Sequence, residues 1–180
     1  MSSGSDLRAA TNRLARWHFL YTALFAVQIV VYDAWKLIEP AVVLRRWIMA
    51  ALLLIVTTTV WYMARGRAND NSLYKRLIFA LIVIDIAAAS FGIYTQRGMA
   101  SRAVMLYSVP IVVASVLKSR RAIFTAALLS VAAYSTTAVA YFVLNFNEGY
   151  KIELYGEVGF YSVLMLLLAS LLWSAIRPKR

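Results

Sequence analysis

One carboxylate lies in the middle of a long apolar stretch. Asp85 is the only charged residue in L-I-F-A-L-I-V-I-D-I-A-A-A-S-F-G, residues 77–92. A carboxylate at the centre of a bilayer costs about 2.5–3.5 kcal/mol on insertion scales, so Asp85 must face protein or water and have company there. Ala88, Ala89 and Gly92 follow it at i+3, i+4 and i+7, which places them on its face of a helix. Small residues in that pattern let a second helix approach closely. The chemistry open to Asp85 is that of a ligand, proton or cation site; the plainer alternative is a hydrogen-bonded Asp that ties helices together.

Three further sets of polar or irregular residues share its depth. Pro110 stands in the apolar run after Tyr107, and a proline leaves the carbonyl four residues back, at Leu106, without its usual donor. Its plainer reading is an ordinary membrane kink. Ser130, Tyr134, Thr137 and Tyr141 form a stripe at helical spacing, either hydrogen-bonding across helices or lining a ligand. Gln28 lies near the middle of the first apolar run. Asp85, Tyr107, Pro110, Ser130, Tyr134, Thr137 and Gln28 are the candidate ligand-binding set.

Other chemistry finds little footing. With no cysteine and one histidine, thiolate and His-pair metal sites are excluded. Glu148, Glu153 and Glu157 lack the Asp-x-Asp spacing of a calcium loop, and Glu153 and Glu157 fit a solvated helical face. His18, beside Trp17, sits in no phosphoacceptor motif, and no Walker loop, nucleophile elbow or paired acid and base is present. The expectation is a protein that is not an enzyme, with no cofactor indicated.

These residues need elements to hold them. The 180-residue chain is 62% hydrophobic with a mean hydropathy of +0.70, which marks an all-α integral membrane protein. Six spans are expected, near 17–35, 47–64, 77–95, 103–117, 122–144 and 158–176, as a single domain over residues 17–176. A polar, basic stretch, 1–16, precedes it and a basic tail, 177–180, follows. Thirteen Lys and Arg fall at the N-terminus, between 65 and 76, in the turn Lys118–Arg121 and in the tail; six fall on the other side. The positive-inside rule then puts both termini in the cytoplasm, in a bacterial inner membrane, with all five Trp near span ends. The net charge of +11 is spread between apolar runs, so its partners are the lipid bilayer and anionic headgroups on the cytoplasmic face, not nucleic acid.

Within residues 80–135 the chain resembles the six-helix membrane input domain of bacterial sensor histidine kinases of the pilus-regulating and quinone-responsive type. Asp85, Ser90 and Tyr94 fit that family's Asp, Ser/Thr, Tyr pattern. Leu106-Tyr107-Ser108-Val109-Pro110-Ile111 fits its fourth span, Ser119-Arg120-Arg121 its basic turn, and Ala126 to Tyr134 its fifth span. The turn departs from the pattern, with Arg97-Gly98 where Gly-Gly stands and Arg102-Ala103 where Pro-Phe stands. The 180 residues stop at Arg177–Arg180, where a dimerisation helix begins in such kinases, so no kinase module is expected within them. The resemblance implies a homodimeric sensor that binds a quinone or another small apolar ligand and relays it through the last helix. Two other readings stand beside it: a small transport subunit similar in architecture to the substrate-binding component of vitamin importers, and a scaffold with no ligand.

Overall fold

The computed structural model describes residues 4–66, 71–95, 102–146 and 152–176. The described residues form helices α1 (Gly4–Ala34), α2 (Pro40–Arg65), α3 (Asn71–Thr95), a 3-10 segment (Arg102–Tyr107) that runs into α4 (Ser108–Ser115), then α5 (Arg120–Phe146) and α6 (Ile152–Ile176). Among the described residues five stretches are long and apolar enough to cross a membrane: Asp6–Ala34, Pro40–Arg65, Asn71–Thr95, Arg120–Asn145 and Tyr155–Ile176; Arg102–Ser115 is a shorter apolar one. Leu128, Leu164, Leu167, Leu171, Val83 and Phe79 point outward. In water such faces would be a liability; in lipid they are the solvent-matched surface. The chain is thus a helical multi-pass membrane protein.

The helices extend further than the apolar runs that announce them. α1 begins at Gly4 and takes in most of the basic stretch that the sequence suggests as a separate N-terminus. α2 begins at Pro40, with Glu39 extended at φ −66°, ψ 146°. Proline favours that first helical position, where its missing N–H costs nothing, and it holds the preceding residue extended. α6 begins at Ile152, six residues before the expected span.

The chain divides into two compact units, Met1–Leu81 and Ile82–Arg180, with the boundary inside α3. In the first unit α1 and α2 form a hairpin around Ala15, Ile29, Leu53 and Val60, all essentially buried. Its closed end is a Schellman turn. The Leu37 N–H donates to the Tyr32 carbonyl and the Lys36 N–H to the Asp33 carbonyl, each at 2.9 Å, with Lys36 left-handed at φ 52°. At the open end, the first turns of α1 serve the last carbonyls of α2. Arg8 donates to Ala64 at 3.3 Å and to Arg65 at 2.9 Å, and Asn12 donates to Ala64 at 3.2 Å. Those carbonyls have no partner within α2, so the contacts satisfy groups that otherwise stay orphaned. Arg65 covers the Trp61 ring at 3.6 Å, and Trp61 meets Phe19 edge-on at 5.9 Å.

In the second unit the core is built by Ala89, Ile93, Tyr107, Ile111, Ala127, Tyr134, Ala138 and Met165 with their neighbours. The fourth expected span is here a 3-10 segment of six residues followed by an α-helix of eight. Pro110 accounts for one lost bond: without its N–H the Leu106 carbonyl has no α-type donor. Pro110 sits in the first turn of a short helix, where the kink reading placed it mid-span.

Candidate functional site

The second unit holds the polar residues, and two contacts set their register. On α3, Ser90 meets Tyr107, hydroxyl to hydroxyl at 2.8 Å. A Cβ built on Gly92 would lie 2.8 Å from that of Ala103, and the two backbones approach closely there. Residue numbers fall along α3 as they rise along the 3-10 segment, so the two run antiparallel. The tight turn at residues 116–119 reverses the chain again, and α5 runs parallel to α3. Tyr94 and Tyr141 then mark one level, their rings edge-on at 6.1 Å.

Depth follows from helical rise. Asp85 lies about 13 Å along α3 from Tyr94, while Tyr134 and Ser130 lie about 10 and 16 Å along α5 from Tyr141. Asp85 is therefore level with the gap between Ser130 and Tyr134. All three are buried, at 1%, 0% and 0% exposure. The Ser130 Oγ and the Tyr134 hydroxyl have no hydrogen-bond partner among the described residues. A buried hydroxyl left so costs about 1–3 kcal/mol. Two of them one helical turn apart make a place equipped to hold a polar group; Asp85 shares its depth, on the face of α3 about half a turn round from Tyr94.

A line of tyrosines leads out of that place. Tyr134 packs edge-on between Tyr107 at 5.8 Å and Tyr161 of α6 at 5.9 Å. Such pairs contribute about 0.5–1.5 kcal/mol each beyond their buried area. Tyr161 also walls a cleft of about 170 Å³ between the 3-10 segment and α6, lined with Val104, Met105, Ser108, Leu164, Met165 and Leu168. The cleft is open on one side and apolar. Its wall, Tyr161, touches the ring of Tyr134, whose hydroxyl belongs to the buried pair.

The candidate residues separate on this geometry. Asp85, Ser130 and Tyr134 share a level, and Tyr107 touches Tyr134. Thr137 lies near the Tyr107 hydroxyl, which Ser90 meets at 2.8 Å. Pro110 is buried on α4. Gln28 belongs to the first unit, where its amide donates to the Tyr32 hydroxyl at 3.3 Å, one turn on along α1. His18 is buried, and its Nδ1 donates to the Leu14 carbonyl at 3.0 Å. Glu153 and Glu157 are exposed on the first turns of α6. Glu148, the Arg97-Gly98 turn, residues 67–70 and the basic tail 177–180 lie outside the described residues.

Two participants escape a reading of the sequence. Tyr161 looks interfacial if α6 starts at Val158; a start at Ile152 puts it in the third turn. Arg46 looks like an outer-loop charge, whereas α2 begins at Pro40 and carries it inward, to 2% exposure. The signal was present in Pro40, which marks a helix start.

No protein-family model, no curated protein and no solved structure matches the chain, so its site stands on its own geometry.

Proposed function

We propose that this chain is a membrane-embedded signal-input module. Its second unit binds a small, mostly apolar molecule that carries a hydrogen-bond acceptor, of the quinone kind. The observation that carries this reading is the pair of buried hydroxyls, Ser130 and Tyr134, without partners among the described residues and level with Asp85. A carbonyl oxygen placed between them would recover two hydrogen bonds at the depth where water is absent. The apolar cleft beside Tyr161 supports the same reading, because a membrane-dissolved ligand enters from the side and not from water.

The signal leaves through α6, whose Tyr161 and Met165 both belong to or pack on the core around Tyr134. A ligand that prefers one packing of these rings shifts the population of α6 positions by its differential affinity. In this reading Arg102–Ser115 is a sixth crossing, both termini face the cytoplasm of a bacterial inner membrane, the module works as a homodimer, and the resemblance to kinase input domains is functional. The topology is checked by single cysteines in a chain that has none: Glu39→Cys reacts with an impermeant thiol reagent from outside the cell, and Arg120→Cys only after the membrane is opened.

The ligand is tested in lipid nanodiscs. A short-tailed quinone raises the melting temperature of the wild type by several degrees, and an isoprenoid tail without the ring does not. Ser130→Ala with Tyr134→Phe removes the shift. The reading is overturned if no quinone moves the wild-type transition and native mass spectrometry of the gently extracted protein finds no retained small molecule.

A further inference from the structure

The first unit buries a full positive charge that the function proposed above does not use. Arg46 is 2% exposed, and its Nη1 has no hydrogen-bond partner among the described residues. Its close neighbour is the face of Tyr32, with the guanidinium carbon 5.2 Å from the ring centroid. Tyr32 is held in turn by the Gln28 amide, at 3.3 Å. The nearest carboxylates in sequence, Asp33 and Glu39, are both exposed. A guanidinium taken out of water without an anion is among the costliest arrangements a protein can hold. A cation–π contact returns less than that cost.

Position narrows the missing partner. Arg46 lies about 9 Å along α2 from Pro40, at the closed end of the α1–α2 hairpin. Trp35 and Trp47, both exposed, flank that end. Exposed tryptophans mark headgroup depth, where lipid phosphates lie. Gln28 and Tyr32 are half-buried, leaving the polar edge of this cluster partly open. The guanidinium fork matches a phosphate with two parallel hydrogen bonds.

We propose that Arg46, supported by Tyr32 and Gln28, binds one phosphate group at the closed end of the α1–α2 hairpin. The phosphate belongs either to a phospholipid headgroup or to a free phosphate ion, and the shared chemistry is a tetrahedral oxyanion on a planar fork.

The test compares melting temperatures of wild type, Arg46→Gln and Arg45→Gln in nanodiscs. Arg45 is exposed and controls for the general attraction of a basic protein to anionic lipid. The bilayers are phosphatidylcholine, phosphatidylcholine with inorganic phosphate, and phosphatidylglycerol. With a lipid source, wild type and Arg45→Gln gain several degrees in phosphatidylglycerol, Arg46→Gln gains markedly less, and native mass spectra of Arg46→Gln lack one tightly held lipid. With an ion source, inorganic phosphate alone produces the Arg46-dependent gain. The proposal is overturned if Arg46→Gln responds to both as the wild type does, or if its only loss is dimer mass. Should Arg46→Gln fail to fold, Arg46→Lys decides: it keeps the charge without the fork, and phosphatidylglycerol retention equal to wild type overturns the proposal.

Discussion

The hydroxyls of Ser90 and Tyr107 meet at 2.8 Å and join α3 to the 3-10 segment. Proton counting gives the bond a direction. Ser90 already donates its single proton to the Ile86 carbonyl, at 2.8 Å. Tyr107 must therefore donate to Ser90. The result is a directed chain, Tyr107 to Ser90 to Ile86, running beside the Tyr134 hydroxyl, which has no partner among the described residues.

Breaking the chain at Tyr107 tests it. Tyr107→Phe removes the link to Ser90, and Ser90→Ala in that background adds little. Their double-mutant coupling is expected at about 0.6 kcal/mol, the average for hydroxyl bonds between membrane helices. Unfolding in mixed detergent measures it, and zero coupling would mean the two hydroxyls are neighbours without a bond.

Gly92 is the contact where α3 tolerates no side chain. Its added Cβ would stand 2.8 Å from the Ala103 Cβ, closer than real Cβ atoms come. Gly92→Ala is expected to destabilise by about 1–3 kcal/mol, the range for overpacking. Ala103→Gly in the same chain is expected to recover most of the loss. A neutral Gly92→Ala would show that the 3-10 segment simply slides away.

Asp85→Asn keeps the size and the hydrogen-bonding reach of the side chain while removing the carboxylate. If Asp85 serves the ligand, the variant melts near the wild-type temperature and no longer shifts with quinone. An intact quinone shift together with lower stability would assign Asp85 to helix packing alone.

Two lysines occupy left-handed backbone, Lys36 at φ 52° and Lys118 at φ 49°. A side chain there costs roughly 1–2 kcal/mol, and glycine avoids it while losing some entropy in the unfolded chain. Lys36→Gly and Lys118→Gly are each expected to stabilise by up to about 1 kcal/mol, read from the unfolding midpoint. A loss of stability at Lys36 would mean that its side chain does more than occupy the turn.

The helical class and five of the six expected spans were readable from the sequence, because continuous apolar runs near bilayer length admit few alternatives, whereas the run at 103–117 is a shorter apolar helix. Helix ends were not. Hydropathy reports the lipid slab, whereas helices such as α1 and α6 continue through charged turns beyond it, as Arg8 and Glu153 do. That mismatch hid Arg46 and Tyr161. Asp85 stood out because a lone carboxylate in an apolar run is costly wherever it packs. Its level with Ser130 and Tyr134 was not readable, since it depends on a register fixed by Ser90–Tyr107 and Tyr94–Tyr141, contacts between helices whose relative slide one sequence leaves free. Gln28 shared the predicted depth but a different unit, and depth alone cannot tell which helices meet.

The α1–α2 hairpin carries a constraint on the order of its own assembly. Arg8 and Asn12 serve carbonyls 56 and 52 residues later in the chain. During synthesis those side chains wait until Ala64 has been made, while the Schellman turn at Lys36 completes as soon as Leu37 emerges. Local closure comes first because its loop is short. The hairpin therefore zips from the turn toward its open end, and the Arg8 and Asn12 bonds are its final clasp, reporting that both helices have been delivered at full length.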